Sequence, residues 1–279
     1  MTHYEERLGR DLQVLREKVA ALGLLLDAAL GSAVRAFLER DRNLASETIL
    51  GDQPVNRATR ELDRLCHAFV VRHLPSAGHL RTISAVLRLS VALERVGDYA
   101  VSISREAVQS TSPTPVTVAR DIEMMAEQAR SVLRQSLKAF HEQSPDLARG
   151  TMAMETQNDT VYRKVYRDLL AEAESRDIPV RDTFAFLVIL GRLERIADQA
   201  KNICEETIFA VTGEVKRARA FRILFIDDRN AGASLLAEAV ARKAFPQGAS
   251  YASAGWDPAP GADPAVLAFM DARGLGSPA

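Results

Sequence analysis

"LERVGDYA" spans Leu93–Ala100 and "LERIADQA" spans Leu193–Ala200, one hundred residues further on. Each copy places a Glu four residues before an Asp: Glu94 and Asp98 in the first, Glu194 and Asp198 in the second. On an α-helix, residues four apart share a face, so each copy carries a like-charge pair that costs helix stability. The same penalty in the same wording predicts an internal repeat of about one hundred residues.

Working outward, the surrounding chain reads as long helices. Leu8, Leu12, Leu15, Val19, Leu22 and Leu26 alternate four and three apart, the seam of a coiled-coil-like helix. Breaks fall at "ERDRN" (39–43), "LPSAGHL" (74–80), "QSTSPTPVT" (109–117), "EQSPD" (142–146) and "SRDIPVRD" (175–182), where turn-forming, capping and Pro residues gather. They predict six helices, near 4–38, 42–73, 78–109, 115–142, 145–175 and 180–214. The third and sixth carry the acidic phrase, so the expectation is an all-α fold of two tandem three-helix bundles, residues 1–110 and 115–214.

After Lys216 the pattern changes. "FRILFI" (221–226) is a continuous apolar run suited to a buried strand, and "LLAEAVARKAF" (235–245) an amphipathic helix. "SYASAG" reads as a weaker strand, and "DPAVLAFMDARG" (263–274) as a helix opened by Asp-Pro and stopped by Gly. Residues 221–279 are therefore expected to form a short, incomplete α/β tail. Two parallel strands make a marginal sheet, so the tail is expected to dock on the bundle or on a partner, or to be partly disordered.

The 279 residues carry 36 Lys+Arg and 37 Asp+Glu, so no basic excess points to nucleic acid. Cys66 and Cys204 lie far apart, with neither metal-type nor disulfide-framework spacing, and read as small buried residues. The N-terminus is polar and acidic rather than signal-like, and "FAFLVILG" (184–191), the greasiest stretch, is too short to span a bilayer. The expected location is the cytoplasm.

Glu94, Asp98 and Ser102, and likewise Glu194, Asp198 and Asn202, fall at i, i+4 and i+8, about 6 Å apart along a helix axis. They read as an oxygen-bearing stripe flanked by apolar residues. Two readings stand: a solvated face with Arg95 and Arg195 as local counter-charge, or a cation site. Oxygen ligands with no His or Cys nearby suit a hard cation such as Mg²⁺, Mn²⁺, Ca²⁺ or iron. Asp52, Glu155 and Asp159, on the second and fifth predicted helices, are candidates to complete the shells.

Two three-helix repeats, each with E-R-[IV]-x-D, resemble the PhoU family of bacterial phosphate-transport regulators. The resemblance covers residues 1–214 and includes "THYEERLGRDLQVLREKV", "LERVGDYAVSISRE" and "LERIADQAKNICEE". It implies a cytoplasmic, non-enzymatic, oligomeric (dimeric) helical protein that represses the phosphate-starvation response and restrains phosphate uptake. The implied partners are the phosphate ABC transporter ATPase and a sensor histidine kinase, with only peripheral association with membrane complexes. It also implies iron or zinc clusters, one held by Glu94 and Asp98, the other by Glu194, Asp198 and Asn202. The chain departs from the family in the first repeat, with Val91-Ala92 for Asn-Asp and Ser102 for Asn, which implies a weaker first site. A metal-free helical interaction scaffold is the alternative.

"ILFIDDRNAGASLLAEAV" and "SAGWDPAPGADPAVLAFMDARGL" resemble the opening of low-molecular-weight tyrosine phosphatases and arsenate reductases, where a strand enters a C-x5-R phosphate loop. Aligning Asn230, Ser234 and Ala237-Glu238 puts Gly232 at the nucleophile and Ala233 at the arginine. Without thiolate or guanidinium this implies a truncated, catalytically dead relic. Its Arg229–Ser234 N–H groups are left to hold an anion.

Overall fold

The computed structural model describes residues 3–175, 178–215 and 221–276, except for the side chains of 155–161 and 172–175. They form two compact units, which divide near residue 216. The first is helical: α1 (His3–Glu39), α2 (Arg42–Leu50), α3 (Asp52–His73), α4 (Ala77–Gln109), α5 (Val116–His141), α6 (Pro145–Ser175) and α7 (Val180–Thr212).

The helix expected over 42–73 is two. Pro54, in the first turn of α3, has no N–H to return to Leu50, so the ladder breaks at Gly51 and restarts at Asp52. The Asp41 side chain opens α2, accepting from the N–H groups of Asn43 and Leu44.

All six seam residues of α1 are buried. An 18-residue window of this helix reaches a mean hydropathy of 1.6, long and apolar enough by composition to cross a membrane. That corrects the reading of 184–191 as the greasiest stretch of the chain. The helix owes its apolar character to the core face it contributes.

Instead of two separate cores, one continuous core runs through both repeats, from Leu8 through Leu93 to Ile203. α4 packs on α7 and α1 on α5, while Phe37 of α1 meets Phe186 of α7 edge to face at 6.0 Å. Arg130 of α5 holds Asp27 of α1 through two bonds of 2.9 and 2.8 Å. Cys66 and Cys204 are free and buried, and burial pushes each thiol up to about 12.

The second unit comprises β1 (Phe221–Asp227), α8 (Ala233–Ala244), β2 (Ala249–Gly255) and α9 (Pro264–Ala272). β1 and β2 are parallel, in register from Phe221 opposite Ala249 to Asp227 opposite Gly255. α8 packs on both strands and α9 on α8.

Candidate functional site

The two acidic phrases lie on α4 and α7, which run antiparallel where they pack: Arg88 reaches Glu206, and Ser102 reaches Arg192. Core residues fix both helices, with Leu93 and Val96 buried in the first phrase and Leu193 and Ile196 in the second.

In the first copy Glu94 and Asp98 are exposed, as the carboxylates of an ion site or a solvated face would be. Ser102 is half-buried and points elsewhere. Its Oγ accepts a 3.1 Å bond from Arg192 Nε, while the Arg192 guanidinium lies over the Tyr99 ring, 5.5 Å from its centroid. Asp52 stands close by. A Cβ built on Gly97 would lie 3.4 Å from Asp52 Oδ1, and Asn56 Nδ2 donates to the other Asp52 oxygen. The break before α3 thus brings a third carboxylate to the middle of the phrase.

In the second copy Glu194 and Asp198 are half-buried. Glu194 lines a recess with Met125, Gln128 and Ala129 of α5 and Tyr162 of α6. Arg195 Nε is 3.8 Å from Glu194 Oε2. Burial, with a further push from the Glu194 charge, raises the Tyr162 phenol above its ordinary value. Asn202 faces the other way. It lines a bay of about 270 Å³ with Arg88, Val91, Ala92 and Arg95 of α4, and its Nδ2 donates to Gln199 Oε1 at 3.4 Å.

The i, i+4, i+8 set is therefore not one face, which corrects the stripe expected from spacing. Eight residues advance a straight helix by two turns and about 80°. That rotation carries Ser102 and Asn202 into the α4–α7 seam, away from Glu94 and Glu194. Among the described residues, no three of His, Cys, Asp and Glu converge as a metal-holding group. The side chains of Glu155 and Asp159, candidates to complete the shells, lie outside the described residues.

Tests of fit differ between the copies. In the first, the expected oxygen ligand Ser102 already bonds a guanidinium, which does not fit a cation ligand. In the second, Glu194 and Asp198 are half-buried, and Ala92 stands where the first copy meets Arg192, although Arg88 and Arg95 line the same bay as Asn202. Glu194 and Asp198 would supply oxygen donors in this copy, without Asn202, which faces the α4–α7 seam, and a bound iron or zinc would offset the repulsion between the two carboxylates. Reading the sequence missed both Tyr162 and Arg192, because only packing brings them to the phrases.

The expected anion cradle of the second unit is already filled. Asp227 accepts bonds from the N–H groups of Arg229 (3.0 Å), Asn230 and Ser234 (2.9 Å). These bonds, led by those from Ser234, hold its carboxyl below the ordinary value. Residual anion binding by these N–H groups is thereby corrected: the Asp227 carboxylate takes the place of an outside anion. On the C-x5-R spacing of that resemblance, five residues stand between Asp227 and Ala233, so Asp227 rather than Gly232 matches the first position. Gly255 lets β2 end beside this loop, for a Cβ there would meet Asn230 N at 2.6 Å.

Comparison with known proteins covers the helical unit. The model of the PhoU domain family matches residues 19–107 and 122–207. A phosphate-specific transport system accessory protein PhoU homolog of Pseudomonas putida is 30% identical over 215 residues, 76% of this chain and 83% of that protein. The PhoU accessory protein of Serratia marcescens is 28% identical, over 76% of this chain and 87% of its own length. The crystal structure of PhoU from Pseudomonas aeruginosa superposes with a TM-score of 0.69 at 27% identity, covering 74% of this chain and 99% of that one. The phosphate transport regulatory protein PhoU from Streptococcus pneumoniae, at 23% identity, shares the fold with a TM-score of 0.70, over 76% of this chain and 100% of that one. By its two matched segments, its relatives and its fold, this chain belongs to the PhoU family.

Proposed function

We propose that the protein is a cytoplasmic, non-enzymatic negative regulator of phosphate uptake and of the phosphate-starvation response. The carrying observation is the pair of family-matched segments, 19–107 and 122–207, in a chain whose relatives are named accessory proteins of the phosphate-specific transport system. In this reading a homodimer couples the phosphate ABC transporter ATPase to a sensor histidine kinase. Iron or zinc, in the same reading, is held by Glu194 and Asp198, beside the recess that α5 and α6 form with α7. Deleting the gene should derepress alkaline phosphatase in high phosphate, and unchanged enzyme levels would refute the regulatory role. Replacing Glu194 and Asp198 together by Ala should lower the metal content of the purified protein, read by elemental analysis.

One observation favours a second reading, the metal-free helical scaffold: no three metal-type ligands converge among the described residues. Equal metal content in parent and variant would select it. The phosphatase reading has little chemical support, because a carboxylate, Asp227, occupies the loop where a thiolate would be needed.

A further inference from the structure

We propose that Arg192 closes the first acidic phrase to divalent cations, so that any cation centre in this chain lies on the second phrase alone. The inference deepens the metal-binding part of the proposed function, but it concerns the opposite copy and is read separately.

Three observations on the α4–α7 seam carry it. Arg192 Nε bonds Ser102 Oγ at 3.1 Å, which fixes the guanidinium one helical turn beyond Asp98. Its guanidinium is stacked over Tyr99, the residue after Asp98, at 5.5 Å, so the charge is held from both sides rather than free to swing out. Position 192 corresponds to position 92 one repeat earlier, which is Ala, and Ala92 lies in the same bay as Asn202. Ala92 therefore sets no guanidinium directly on Asn202 as Arg192 does on Ser102, although Arg88 and Arg95 line the same bay. Arg95 and Arg195 occur in both copies and cannot make the difference.

The physical effect is repulsion. Ser102 is one helical turn from Asp98, so a guanidinium anchored there stands roughly 7 Å from an ion held by Asp98. Between a unit charge and a divalent ion at that distance, in a partly hydrated interface, the penalty is about tenfold in affinity. Arg192 acts here as a specificity residue, setting a fixed positive charge one turn from Asp98.

The test uses the full chain and Mn²⁺ as the probe, with bound and free ion separated by electron paramagnetic resonance. Arg192→Gln keeps a donor for Ser102 and removes the charge. It should gain Mn²⁺ binding about tenfold tighter than the parent shows at the first phrase, and adding Glu94→Ala and Asp98→Ala should abolish the gain. Arg192→Lys, which keeps the charge, should behave as the parent. Equal binding by the Gln variant and the parent would overturn the inference. So would a parent that loses Mn²⁺ when Glu94 and Asp98, both exposed and replaceable without disturbing the core, are changed to Ala. That second measurement holds even if the Gln variant fails to fold. Failure of Glu194→Ala with Asp198→Ala to lower Mn²⁺ would sink the second-phrase reading while leaving the Arg192 result standing.

Discussion

The two copies of the acidic phrase share their buried residues and differ in what meets them. Leu93 and Leu193, Val96 and Ile196, and Ala100 and Ala200 are all buried, so the core half of the motif is the same in both. The polar half diverges: the first has exposed carboxylates, Asp52 nearby and an arginine on Ser102, while the second has half-buried carboxylates, Tyr162 and an open bay at Asn202. A repeat can therefore hold its fold constant and still specialise, because packing reads one face of the helix and chemistry the other.

If the core halves are equivalent, they should fail equally. Leu93→Ala and Leu193→Ala each empty a site that is nearly inaccessible to solvent, at 0% and 2% exposure. Each should cost about 3 kcal/mol, within the range for buried leucines. Because one core spans both repeats, the helical unit of each variant should melt in a single transition by calorimetry. Two separate transitions, or costs differing by more than about 2 kcal/mol, would break the equivalence.

The next difference lies just upstream. Asp182 of α7 is buried and anchors the linker between the repeats. Thr111 donates to it through N–H at 3.1 Å and Oγ1–H at 2.9 Å, and Ser112 through N–H at 3.1 Å. One hundred residues earlier stands Thr82, which merely bonds back to Gly78 O. Asp182→Ala leaves several donors unmet and should cost about 2 kcal/mol, against under about 1 for Thr82→Ala, by urea unfolding. Burial alone would raise the Asp182 carboxyl, but the bonds from Thr111 and Ser112 outweigh it and hold it below its usual value. A carboxylate depressed in the folded state stabilises fully above its unfolded pKa, near ~4, and loses that contribution as pH falls through the lower folded value. The parent should therefore lose stability below about pH 4 more steeply than Asp182→Ala.

The periodicity of the sequence was enough to place the long helices, because apolar residues at helical spacing carry the packing energy that forms them. Leu8 to Leu26 are both the sequence signal and the buried face. Three things were not legible. The break at Gly51 turned on one missing N–H, at Pro54, inside an otherwise helical pattern. The joining of two bundles into one core depends on faces that have the same spacing whether they meet their own repeat or the other. The splitting of the acidic stripe follows from helical rotation, and its partners Tyr162 and Arg192 come from elements 30 to 90 residues away, as the separations from Glu194 and Ser102 show. In the second unit, strand and helix order was legible from apolar runs and caps. Asp227's role as the loop's own anion depended on three backbone directions that no residue pattern records.

The smallest difference between the phrases is a single methyl group, Gly97 against Ala197. A Cβ on Gly97 would sit 3.1 Å from Val55 Cγ1 and 3.4 Å from both Leu26 Cδ2 and Asp52 Oδ1. Replacing Gly by Ala inside a helix gains about 1 kcal/mol from the backbone. Here that gain is opposed by crowding, because Val55 is buried at 3% exposure and a β-branched side chain in a helix has essentially one rotamer to offer. The two effects are of similar size, and the stiff neighbour tips the balance. Gly97→Ala should therefore destabilise by less than about 1 kcal/mol. Ala197→Gly, which forgoes the backbone term and leaves a small gap, should cost about 1 kcal/mol or more. A stabilising Gly97→Ala would mean that α3 moves aside, and then Asp52 would not be fixed beside the first phrase. Chemical unfolding of the pair decides between a glycine that admits α3 and one that is merely tolerated.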